Sequence, residues 1–118
     1  FPTTITVAAV DMMKRTTSFS SVGDEIDVCA AGKDVYSTYP NNKYALLSGT
    51  SMATPLISGS AALFQGKAML RYGKLLYPEQ IRLLLQMYSE DLGEYQRDQN
   101  YGYGLFSFGR VFGKDRVY

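Results

Sequence analysis

The sequence predicts an α/β fold in which short, mostly parallel strands support a helix that is apolar on every side. Three observations lead there. Thr4 to Val10 is a short, β-branched, apolar run, and Asp24 to Ala31 makes a second strand of the same kind, as expected of strands buried on both faces. Val35 to Tyr39 and Tyr44 to Leu47 are extended pieces separated by Pro40-Asn41-Asn42, which has strong turn chemistry, so they form a hairpin that delivers the chain to residue 51. From Met52 to Phe64 the residues are almost all apolar or small, and a helix without a polar face is a buried one.

The remaining elements follow in order. Met12 to Thr17 reads as a polar connection between the first two strands. Pro55 falls near the first turn of the apolar helix, where a missing N–H costs little because early amides have no intrahelical partner. Ser58, Gly59 and Ser60 are weak helix formers that would let neighbouring backbone approach closely. Gly66 to Tyr77 fits two descriptions, an extension of the helix or a packed loop, with Lys67, Arg71 and Lys74 facing solvent in either case. Pro78 suits the first position of another helix, in which Ile81, Leu84, Leu85 and Tyr88 keep the i, i+3, i+4, i+7 spacing of one buried face. That helix should end before Gly93. Gly102, Gly104 and Gly109 punctuate the tail, and Ser107 starts a short final helix through Val111.

At 118 residues the chain is of single-domain size, and 46% hydrophobic content places it among globular sequences. Twelve basic against eleven acidic side chains leave a formal charge of +1, with no run of like charge, so neither nucleic acid nor an anionic membrane is an expected partner. The ten tyrosines are read as packing and hydrogen-bonding residues, because a stacking platform would need them interleaved with a basic groove. Cys29 is the only cysteine, which rules out an internal disulfide and any multi-cysteine metal motif; it reads as a small buried hydrophobe. No apolar run is long enough to span a membrane, and the first residues lack the basic start and apolar core of a signal peptide.

The chemistry concentrates in Ser48-Gly49-Thr50-Ser51-Met52-Ala53-Thr54-Pro55, where an extended segment turns into the apolar helix. A serine at a helix start is ordinarily an N-cap. The same position lies beside free backbone N–H groups and the positive end of the helix dipole, which stabilise a nearby oxyanion. The stretch resembles the nucleophile motif of subtilisin-like serine proteases, G-T-S-M-A followed by Ser or Thr and then Pro. Three further segments resemble the same family in the same order: Pro2 to Asp11, then Ser18 to Gly23 with Ile26 to Gly32, and Tyr101 to Leu105, which is similar to the G-x-G-L/I before the family's last helix. The resemblance implies a three-layer α/β fold with a central helix, with Ser51 as the nucleophile and Thr50 either a second donor to the oxyanion or simply a β-branched residue ending a strand. It also implies that Met52 is an oxidation-sensitive neighbour of the site.

Subtilisin-like enzymes carry their triad in the order Asp, His, Ser, and this chain contains no histidine. The resemblance therefore implies that residues 1–118 are the C-terminal segment of a catalytic domain. An N-terminal part, as a companion chain or a missing segment, would hold the aspartate, the histidine and the oxyanion-hole amide. Lys43, Lys67 and Lys74 are the alternatives for a Ser-Lys pair, but nothing in their spacing favours one. Leu56 replaces a histidine common after the motif's proline, and Ala31 replaces the proline of "A-P-G", which should loosen a turn. Glu25 and Asp27 fall where some relatives bind a weak cation; two carboxylates do not complete a calcium shell of six to eight oxygens, so no metal or cofactor is assigned. The implied activity is peptide-bond hydrolysis on a peptide or protein substrate by a secreted or cell-surface enzyme. The rival expectation is a non-catalytic pseudoprotease or interaction module that retains the fold. One subtype removes leader peptides from modified peptides, and no residue here selects it.

Overall fold

A computed structural model describes residues 3–95, 97–107 and 109. Among these residues eight elements follow in order: β1 (Val7–Val10), β2 (Val28–Ala31), β3 (Val35–Tyr39), β4 (Lys43–Leu47), α1 (Thr50–Tyr72), α2 (Pro78–Met87), β5 (Ser89–Glu90) and β6 (Leu105–Phe106). The main sheet has the order β1-β2-β6-β5, with β3 and β4 forming a separate two-stranded sheet. β1 and β2 are parallel, in register from Val7 opposite Val28 to Val10 opposite Ala31. β6 joins β2 in parallel at Cys29 opposite Leu105, and β5 closes the edge antiparallel to β6. The sheet is thus mostly parallel, as the sequence predicts, with one antiparallel edge.

Both faces of β1 and β2 are covered, which is why their residues show no polar alternation. Val7, Ala9, Val28 and Ala30 face Ala53 and Ile57 of α1 and Ile81 and Leu85 of α2. Ala8, Val10 and Cys29 point the other way, with Ile26, and are packed against Tyr101 and Leu105. The covering loop is laced to β2 by backbone bonds, Tyr103 N–H to Asp27 O at 2.7 Å and Cys29 N–H to Gly104 O at 2.9 Å. Ala31 occupies no turn. It is the last paired residue of β2, so the loosening expected from a missing proline is replaced by one more rung of sheet.

The hairpin forms as predicted. Tyr39 pairs with Lys43, and Asn41 and Asn42 adopt the left-handed conformation that asparagine tolerates. Tyr36 stacks on Tyr44 with ring centroids 5.4 Å apart. Of the two descriptions of Gly66 to Tyr77, the structure takes the extended helix: α1 runs 23 residues and stops at Gly73, whose φ of 69° lets its N–H reach back to Met69 O at 3.0 Å. The connection to α2 is clamped by Gln65, whose side-chain amide both donates to Leu76 O at 3.0 Å and accepts from Leu76 N–H at 2.6 Å. Pro78 opens α2 at its first position and Ile81 and Leu85 are buried, as their spacing requires.

Two expectations for α1 are corrected. Ala53, Ile57, Ser60 and Ala68 are buried along one stripe, with Ala61 and Phe64 packed beside them. Leu56, Leu63 and Leu70 lie seven residues apart on another side and are 48%, 64% and 92% exposed, so the described residues cover one face of the helix and not all of it. Gly59 lies in open space, with nothing near enough to touch an added methyl, so the close backbone approach expected around Ser58 to Ser60 is not made by the described residues. Ser60 turns its hydroxyl inward to Leu56 O at 2.6 Å. The final helix expected from Ser107 through Val111 falls largely outside the described residues.

Candidate active site

Ser51 is the second residue of α1, and the path of the chain into it is short. β4 ends at Leu47, Ser48 and Gly49 follow in a connection, and Thr50 begins the helix. Thr50 therefore ends no strand; its carbonyl accepts the Thr54 hydroxyl at 2.9 Å. Gly49 is the N-cap and has no side chain to offer, and no acidic residue stands in the first turn to neutralise the helix dipole. Met52 N–H closes a tight turn on Gly49 O at 2.9 Å. Ser51 is exposed, and its hydroxyl makes no hydrogen bond to any described residue, Lys43, Lys67 and Lys74 included. Met52 is half-buried beside it.

Pro55 lies deeper in α1 than the first turn, four residues after Ser51. Because proline has no N–H, the Ser51 carbonyl loses the donor that an ordinary helix would supply from that position. The turn that carries Ser51 thus has fewer internal bonds than a regular helix start.

This turn is fastened to the ends of the parallel strands instead. Gly32, directly after β2, donates to Val10 O at 3.0 Å and accepts from Gly49 N–H at 2.7 Å. Asp34 N–H donates to Ser48 Oγ at 2.9 Å. Gly32 is the pivot, since a Cβ there would lie 2.5 Å from Ala9 Cβ and 2.8 Å from Gly49 O. Ser51 consequently rides at the carboxyl end of β1 and β2, the edge at which parallel sheets present ligand sites. Sequence reading missed the parts played by Gly32, Asp34 and Ser48. Gly32 and Ser48 lie within motifs that drew notice, but nothing local signals that one loop bonds the other.

The other candidate residues have structural surroundings. Asp27 accepts Thr6 N–H on Oδ2 at 2.9 Å and faces the Arg82 guanidinium at 3.5 Å from Oδ1. Arg82 also bonds Thr4 O, so the positive charge beside Asp27 is supplied by a side chain. Among the described residues no group of three or more His, Cys, Asp or Glu side chains is placed to hold a metal ion. Cys29 is fully buried, and burial, aided by the negative charges of Asp98 and Glu90, pushes its thiol up to about 12. Leu56 lies on the open side of α1. Among the described residues no helix is long and apolar enough to cross a membrane.

A parallel-stranded α/β unit with an exposed serine in the first turn of a helix, anchored at the strands' carboxyl ends, defines a class of fold and not yet an activity. Comparison with known proteins narrows the class. The Subtilase family matches residues 1–104, and the chain belongs to that family. It is 43% identical to subtilisin DY of Bacillus licheniformis over 107 residues, covering 91% of this chain and 36% of that protein. With a thermostable alkaline protease of Halalkalibacterium halodurans the identity is 41% over 109 residues, covering 89% and 27%. Among solved structures, the CspB protease of Clostridium perfringens superposes with a TM-score of 0.83 at 28% identity, over 92% of this chain and 25% of that one. A lanthipeptide protease superposes with a TM-score of 0.85 over 93% of this chain and 42% of that one; at 24% identity this likeness speaks for the fold alone. The chain thus spans about a third of the length of the curated relative first named.

Proposed function

We propose that this chain is the nucleophile-bearing, C-terminal segment of a subtilisin-like serine endopeptidase domain, with Ser51 as the attacking residue. The observation that carries the reading is the placement of an exposed serine in the first turn of α1, within a chain of the Subtilase family. Ser51 Oγ would attack the carbonyl carbon of the scissile peptide bond while a histidine base takes its proton. The oxygen that gains charge would be stabilised by uncapped amides at the start of α1, and water would release the acyl-enzyme. The chain has no histidine, so the base would come from outside these 118 residues, and the family's order of Asp, His, Ser would place the aspartate there too. The same N-terminal part would cover Leu56, Leu63 and Leu70 on the open side of α1. Substrates are peptides or proteins, and the enzyme works after export from the cell.

The test is made on the full-length gene product with a fluorophosphonate serine probe, followed by mass mapping. The expected result is a single adduct on Ser51. Ser51→Ala should lose labelling and lower kcat by about 10⁶, a magnitude that comes from subtilisin itself. A correctly folded product that remains unlabelled at Ser51 overturns this reading in favour of a non-catalytic module.

A further inference from the structure

We propose that Ser48 is a positioning residue: its hydroxyl braces the turn that aims Ser51, and so sets the rate of nucleophilic attack without touching substrate. The inference rests on the reading of Ser51 as the nucleophile and goes beyond it. A serine just before a helix would ordinarily use its oxygen to cap the helix's free amides. Ser48 does not. Gly49 holds the cap position, no side chain caps α1, and the Ser48 hydroxyl instead accepts Asp34 N–H at 2.9 Å.

That bond is one of a pair. Gly49 N–H donates to Gly32 O at 2.7 Å, so residues 48 and 49 are tied to residues 32 and 34 by two bonds that draw the loops together. Asp34 adopts a left-handed conformation, φ 55°, at the point just before β3 where its N–H meets the Ser48 hydroxyl. From beneath, Gly32 leaves no space, because even a methyl there would lie 2.8 Å from Gly49 O. The brace meets a need on the helix side. Pro55 deprives the Ser51 carbonyl of its intrahelical donor, and Ser51 Oγ has no partner among the described residues to hold it. Only Thr50 separates the braced Gly49 from Ser51. The entry angle of α1, and with it the direction of Ser51, is therefore fixed from the 32–34 loop.

The experiment compares wild type, Ser48→Ala and Ser48→Thr in the full-length gene product. The readouts are the saturating rate of fluorophosphonate acylation, the probe concentration giving half that rate, and amide hydrogen exchange. Ser48→Ala should lower the saturating rate by roughly tenfold or more while half-saturation changes by less than about twofold, because misalignment penalises attack and not binding. Ser48→Thr, which retains a hydroxyl, should restore the rate, and the Asp34 amide should exchange faster only in Ser48→Ala. Acylation of Ser48→Ala at the wild-type rate overturns the proposal, as does a loss that threonine does not rescue. If wild type is not acylated at Ser51, the nucleophile assignment fails instead. The brace is then judged by exchange alone: faster exchange at Asp34 and at the Thr50 to Met52 amides upholds it, and unchanged exchange overturns it.

Discussion

Cys29 shows how far a single residue can be read. Its burial was legible because an isolated cysteine in an apolar strand has little else to do, and the structure gives it no exposure. The thiol is held protonated by burial first and by the Asp98 and Glu90 carboxylates second, which moves its ionisation from 9.0 to about 12. The sign for stability follows. Below pH 9 both folded and unfolded chains carry the thiol proton and the contribution is intact; between 9.0 and about 12 only the unfolded chain releases it, so stability falls as pH rises. Iodoacetamide at pH 8 should leave Cys29 unmodified in the folded protein and alkylate it fully in urea, as read by a mass increment. Rapid alkylation of folded material would contradict the packing of β2 against Tyr101 and Leu105. Ser48 and Asp27 were less legible than Cys29, because a hydroxyl or carboxylate declares its partner only once distant backbone closes on it.

Elements were legible in proportion to their length and periodicity. α2 followed from the spacing of Ile81, Leu84, Leu85 and Tyr88, and the hairpin from its turn residues. The C-terminal half of α1 was ambiguous because Gly66 weakens helix propensity, and tertiary contacts decided the matter: Ala68 is buried, Phe64 packs with Tyr88 and Phe106, and Gln65 clamps Leu76. β5 and β6 were invisible, since two residues each carry no period. What ends α1 is Gly73 in its left-handed conformation, and Gly73→Ala has open space but the wrong backbone. It should cost about 1 kcal/mol, seen as a lower urea midpoint at unchanged slope. An unchanged midpoint would mean that the end of α1 is set by the Gln65 clamp alone.

At the scale of the whole molecule, the parallel sheet and the helix on it were legible in the residues, but which side of that helix is covered was not. An apolar residue looks the same whether its partner lies within these 118 residues or beyond them. Leu56, Leu63 and Leu70 form a ridge that the described residues leave uncovered, and a formal charge of +1 offers little repulsion against association. Expressed alone, the chain should bind a hydrophobic dye and run larger than its 13.1 kDa on light-scattering chromatography, with Leu63→Lys reducing both effects. A clean monomer without dye binding would show that the ridge needs no cover.

The strand order has a consequence for how the protein is made. β6 is inserted between β2 and β5, so the sheet joins residue 29 to residue 105. While the chain is still emerging from the ribosome, β1 and β2 can meet, but the rail that flanks β2 on its other side has not yet been synthesised. Closure waits until Leu105 has been synthesised, and the long stretch of chain between Cys29 and Leu105 makes that step slow. Until then Ile26 and Cys29 lack Tyr101 and Leu105, and apolar surface left open in this way is what makes a folding intermediate prone to aggregate.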